Sequence, residues 1–206
     1  MKRFTAPLVA LAAGAAVLIG TDAAHAHGIA TGGGLAGLIH PLLGLDHLVM
    51  LMAVGAAASF ISARLLLWAL AGAVIGASIG FTGVNIPAGE LLAALAISLL
   101  GGLILAAGQF TKATTPNSLT TISGAGVAAA VSIHAMLHGL EAPKDSSTLL
   151  WWSGALLSAV LVCGGTYLLL NERPLTWTKT AAIAFLAIGA VLAFGPLGAL
   201  IGGAGA

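Results

Sequence analysis

The chain has 206 residues, of which 59% are hydrophobic and only 6% charged, with a formal net charge of +1. Soluble domains carry roughly 25% charged residues, so this surface cannot be a water-facing one, and a near-neutral balance excludes the basic face that nucleic acid requires. The single cysteine, Cys163, excludes an intramolecular disulfide and any thiolate cluster. A mean hydropathy of +1.10, with 29 glycines that suit close helix packing in lipid, predicts an all-α integral membrane protein without a soluble domain.

The N-terminus reads as an export signal. Met1-Lys2-Arg3 is a basic start, Ala6 to Gly20 an apolar run, and Ala24-His25-Ala26 a small-x-small cleavage site. The run is about 15 residues, short of the roughly 20 that a spanning helix needs. Residues 1–26 are therefore expected to be a cleavable signal peptide, and residues 27–206 the membrane domain. The mature chain would begin outside the cytoplasm at His27, whose free amine and imidazole together form a candidate chelate.

Six apolar stretches follow, near Leu35–Ile61, Leu65–Val84, Ala88–Phe110, Ser118–Leu140, Thr148–Leu170 and Thr178–Ile201. The connections carry breakers: Asn85-Ile86-Pro87, Thr115-Pro116-Asn117, Ala142-Pro143-Lys144 and Asn171-Glu172-Arg173-Pro174. Backbone groups in lipid must bond internally, so the stretches are expected to be helices, forming a six-transmembrane-helix bundle. With the mature N-terminus outside, Arg64, Lys112, Arg173 and Lys179 fall in cytoplasmic connections and Lys144 falls outside, a positive-inside bias that puts both mature termini outside. Trp151 and Trp152 then sit at the outer interface, where amphipathic rings are favoured. Gly72, Gly76 and Gly80 make a small-xxx-small face on the second stretch, read as packing within one chain, with a homo-oligomer contact as the alternative use.

Against this background two histidine motifs stand out: His40-Pro41-Leu42-Leu43-Gly44-Leu45-Asp46-His47 and His134-Ala135-Met136-Leu137-His138-Gly139-Leu140-Glu141. Ionisable residues are costly in hydrocarbon and mark functional sites when present. The topology sends the first motif in from the outside and the second back toward it, so every candidate ligand lies in the outer half or near the midplane. His134, His138 and Glu141 lie at i, i+4 and i+7 on one helical face, and the i, i+4 pair has the spacing of zinc-binding His-x-x-x-His helices. His40 and His47 are seven residues apart, roughly 10 Å along a regular helix, too far to share an ion unless Pro41 and Gly44 break it. Asp46 either ligates directly or holds the His47 tautomer. Met50, Met52, Met136 and Cys163 are expected to be packing residues, and Glu90 either an entrance carboxylate or an interfacial helix start. Imidazole and carboxylate without thiolate suit a divalent first-row ion, and ligand type alone does not choose among nickel, cobalt, zinc and copper(II). Protons compete with the ion for imidazole, so binding is expected to weaken below roughly pH 6.5.

These two motifs, with Met50 beside the first and the histidine after the signal, resemble those of the HupE/UreJ family of bacterial nickel, sometimes cobalt, permeases associated with hydrogenase and urease maturation. The resemblance covers essentially the whole mature chain. It implies His40, Asp46, His47, His134 and His138 as the metal residues, with His27 and Glu141 as weaker transfers. The larger nickel/cobalt transporter family has four residues between its histidine and the Asp-His pair. Here there are five, Pro41 to Leu45, which favours HupE/UreJ. Nickel or cobalt as the ion is likewise what the resemblance implies. The expected function is ion uptake across a bacterial inner membrane, with no enzymatic activity, prosthetic group or ATPase partner. The competing readings are an intramembrane zinc-dependent hydrolase, with Glu141 or Glu90 as base, and a bis-histidine haem protein.

Overall fold

The computed structural model describes residues 32–110 and 115–203. The expected signal peptide at 1–26 and His27 lie outside the described residues. Seven helices follow in order: α1 Gly34–Leu43, α2 Leu45–Phe60, α3 Leu65–Phe81, α4 Gly89–Phe110, α5 Pro116–Glu141, α6 Thr148–Asn171 and α7 Leu175–Gly203. The last five reproduce the expected stretches to within about three residues, because Pro, Gly and Asn mark the chain's reversals.

The first stretch differs. Leu35–Ile61 is not one helix but two, α1 and α2, bent by 83°. Pro41, inside α1, lacks an N–H and leaves one carbonyl a turn earlier without its helical donor. Gly44 then turns to extended backbone, φ −77° and ψ 115°, which ends α1 and caps α2. Its φ is open to any residue, so conformation is not what requires glycine there. Space is: a Cβ on Gly44 would lie 2.6 Å from Nδ1 of His47.

Among the described residues four helices, α4 to α7, are long and apolar enough to cross a membrane, or five crossings if the bent pair counts as one. α3 is apolar but has 17 residues, roughly 26 Å at 1.5 Å per residue, somewhat under the ~30 Å of a hydrocarbon core. The outward faces of α3, α6 and α7 carry exposed leucines, isoleucines and valines, among them Leu67, Val74, Leu157, Leu168 and Ile201. In water such a surface would aggregate; against lipid chains it is the surface expected.

α2 is the centre of the bundle. Val49, Met50, Ala53, Val54, Ala56, Ala57 and Ala58 are all buried, and α1, α3, α4, α5, α6 and α7 all touch it. Around it α3 lies along α5, α6 along α1 and α2, and α4 along α7. Exchanging the first three stretches for the last three returns the same three pairings. The close approaches are made by glycine. A Cβ on Gly72, Gly76 or Gly80 would collide with the carbonyl oxygens of Ala128, Ser132 and Met136, and one on Gly139 with the α3 backbone. The Gly72–Gly76–Gly80 face is therefore used within the chain, by α5. Gly37 and Gly154 do the same for α1 against α6. In lipid no hydrophobic drive brings helices together, so dispersion between closely apposed backbones matters more than in water.

Candidate metal centre

The break at Gly44 decides the site. His40 closes the last turn of α1 and His47 opens α2; across the bend their rings come to 5.1 Å between centroids, half the separation of a straight helix. α5 supplies the other two imidazoles from one face, His134 and His138, with ring centres 5.5 Å apart. His47 stands between them, 4.7 Å from His134 and 4.1 Å from His138. His40 Nε2 lies 3.1 Å from His138 Nδ1. Two nitrogens each ~2.1 Å from one ion are about 3.0–3.4 Å apart, so this pair has the spacing of two ligands on one ion.

Asp46 orients the cluster. His47 Nδ1 donates to Asp46 Oδ1 at 2.5 Å, which places the ring proton on Nδ1 and leaves Nε2 to face a metal, the usual carboxylate–histidine arrangement. The other carboxylate oxygen, Oδ2, is 3.7 Å from His134 Nε2. Two sets of three ligand atoms each lie mutually within 4.8 Å: His40, His47 and His138, and Asp46, His47 and His134. His47 and His134 are buried, while His40, His138 and Asp46 are half-buried. Four candidate ligands named from the sequence thus meet Asp46 in one cluster.

Other named residues lie outside the two triads. Glu141, the last residue of α5, is half-buried, and Glu90 is exposed at the start of α4; neither joins a ligand group among the described residues. Met50 and Met136 are buried, as packing residues should be. Cys163 is a core residue whose Sγ donates to the Leu51 carbonyl at 3.3 Å.

Trp151 requires a correction. Instead of lying at the lipid interface it is 1% exposed, with its ring 5.4 Å from His40 and 6.5 Å from His138. Its backbone carbonyl is where Gly37 lets α1 approach α6 closely. No signal in the sequence marks this, since the helix is apolar on nearly every side and adjacent residues such as Leu149 and Leu150 are both exposed.

The histidines line a cleft of about 600 Å³ whose other lining residues are mainly apolar, among them Leu70, Val74 and Phe81 of α3 and Ala155, Leu156 and Ala159 of α6. An ion with six waters occupies roughly 180 Å³ at ~30 Å³ per water, so the cleft is large enough to admit a hydrated ion. Within the cluster the His40–His138 nitrogen pair, at 3.1 Å, has a separation suited to an ion that has shed part of that shell. Beside the cleft, the α5–α6 turn is held by Asp145 Oδ1, which accepts from Ser147 N at 2.7 Å and Ser147 Oγ at 2.6 Å; the side-chain bond first, and the backbone bond second, lower the Asp145 pKa below its ordinary value.

Among the described residues, fold and site together define an all-helical, multi-pass membrane protein with a cluster of four imidazoles and one carboxylate beside a cleft. Residues 11–195 match the HupE / UreJ protein family, and the chain belongs to that family. It is 32% identical over 145 residues to Protein HupE of Rhizobium leguminosarum bv. viciae, which spans 68% of this chain and 71% of that protein. No solved structure matches.

Proposed function

We propose that the chain is a permease for uptake of a divalent first-row ion, nickel or cobalt, supplying metalloenzyme maturation. One observation carries this reading: four imidazoles and a carboxylate from two otherwise apolar segments converge, the imidazoles lining a cleft, where buried ionisable groups would otherwise be a net cost. In this reading residues 1–26 are a signal peptide, α1–α2 together and α3 complete six crossings, and both mature termini lie outside the bacterial plasma membrane. The ion enters the cleft hydrated. His27, at the mature N-terminus, and Glu141 meet it on the approach. The imidazoles of His40, His47, His134 and His138 then replace water, and Asp46 offsets part of its charge. Membrane potential contributes about 4.6 kcal/mol per 100 mV for a dication, twice the single-charge value, which suffices to drive entry without nucleotide hydrolysis.

The test is uptake of radioactive nickel, cobalt and zinc into vesicles holding the purified protein, each ion competing with the others. Nickel or cobalt should accumulate in preference to zinc. His47→Ala and His138→Ala should each lower the rate at least 100-fold. Unchanged uptake in both variants defeats the reading.

A further inference from the structure

We propose that the cluster is two adjoining ion stations sharing His47, and that the cargo ion is handed from one to the other by exchanging partners around that ring. This deepens the permease reading and rests on it. The shallow station is His40, His47 and His138, and the deep one Asp46, His47 and His134.

Three features separate the stations. The rings of His134 and His138 are farther from each other, 5.5 Å, than either is from His47, so His47 bridges two groups instead of lying inside one. His134 is one turn farther than His138 from the end of α5 at Glu141, roughly 6 Å along the helix, and it is buried where His138 and His40 are half-buried. The donor sets also differ in charge. Three neutral imidazoles leave a dication's charge intact, whereas the deep set adds a carboxylate, and the deeper surroundings are where that compensation matters most.

Asp46 already divides its oxygens between the stations. Oδ1 accepts from Nδ1 of His47, which leaves Nε2 of that ring for an ion. Oδ2 faces Nε2 of His134 at 3.7 Å, a few tenths of an ångström beyond the spacing of two ligands on one ion. Ligation by Asp46 requires its bond to Nδ1 of His47 to break, because a carboxylate on Nδ1 and an ion on Nε2 lie on opposite sides of the ring. The freed carboxylate then joins Nε2 of His134 on the ion. The shallow triad, with two half-buried members, removes part of the water shell, and the deep one, with only Asp46 half-buried, removes more of it, so dehydration proceeds in steps. Without a bridging anion two dications a few ångströms apart repel, so the stations serve one ion alternately.

The experiment uses the full-length protein in detergent, with cobalt(II) as a visible-absorption probe of ligand type, nickel titration for affinity and stoichiometry, and vesicle uptake for transport. Wild type should bind one ion. His40→Ala and His134→Ala should each still bind one ion within about tenfold of the wild-type affinity, but with different cobalt spectra, mixed nitrogen–oxygen for the first and nitrogen-only for the second. Both should lose uptake at least 100-fold. His47→Ala should lose binding altogether. Asp46→Asn keeps an oxygen for the His47 bond and serves if an alanine variant does not fold; it should bind one ion at the shallow station and not transport. If His40→Ala and His134→Ala lose binding as completely as His47→Ala, the cluster is one site and the proposal fails. Retained uptake in either of them, or in Asp46→Asn, also overturns it. Absence of both binding and uptake in the wild type would overturn the permease reading itself, and this proposal with it.

Discussion

In α5 the helix is unbroken, and His134 and His138 share a face because four residues make a little over one turn. In the first segment seven residues separate His40 from His47, and only the 83° bend at Gly44 brings the rings to 5.1 Å. The continuous helix is held by its neighbour: α3 meets it through Gly72, Gly76 and Gly80 on one side and Gly139 on the other. The broken one is shaped from within, by Pro41 and by the space Gly44 leaves for the His47 ring. Glycine thus has two uses here. In α3 it lets whole backbones touch, and a defect there should cost the fold. In the bend it clears one side chain, and a defect there should cost the site.

The largest expected effect tests the first use. Gly76→Leu would drive a side chain into the Ser132 carbonyl, a backbone atom that cannot rotate away. Overpacking of this kind should cost more than about 3 kcal/mol, seen as loss of monodisperse protein in detergent. A Gly76→Leu protein with normal thermal stability would show that the α3–α5 contact is loose. Next comes Trp151→Ala, which removes one of the largest fully buried side chains from beneath His40 and His138. It should cost about 3–5 kcal/mol of stability and weaken nickel binding as well, whereas a ring confined to the lipid interface would move neither measurement much.

Gly44→Ala sharpens the second use. Its Cβ would press on His47 Nδ1 at 2.6 Å and Asp46 Oδ1 at 3.2 Å, so nickel affinity should fall about tenfold, roughly 1.4 kcal/mol, with little change in melting temperature. A fall in stability without a fall in affinity would place the role of Gly44 in folding instead. The smallest effect belongs to the Asp145 turn. Its carboxyl pKa is depressed by the bonds from Ser147, so the stabilisation is fully present above the unfolded value near 3.9 and is lost as pH falls through the lower folded value. Asp145→Asn should therefore matter slightly at neutral pH and not at all well below pH 4, as read from melting curves across that range.

Much of this was legible along the chain. Proline, asparagine and glycine in the connections mark where helices α3 to α7 end, and ionisable residues in apolar stretches single out His40, Asp46, His47, His134 and His138. The break between His40 and His47 was legible as a requirement, since a straight helix holds them too far apart. What was not legible concerns facing. α6 is apolar on nearly every side, and without a polar stripe nothing local says that Trp151 points inward. The same holds for the exposure of Glu90, which depends on how its helix packs.

The sequence by itself determined the helical, membrane-embedded class of the chain and the identity of its chemistry-bearing residues, because hydropathy, breakers and costly polar groups are local properties. Only the tertiary structure decided which of those residues meet. His40 reaches His138 across 98 positions, His47 joins two triads rather than one, and the α3 glycines serve α5. The physical reason is that in lipid the choice of partner is made by the close fit of backbones and side chains between helices, a property of pairs of surfaces that no single segment carries.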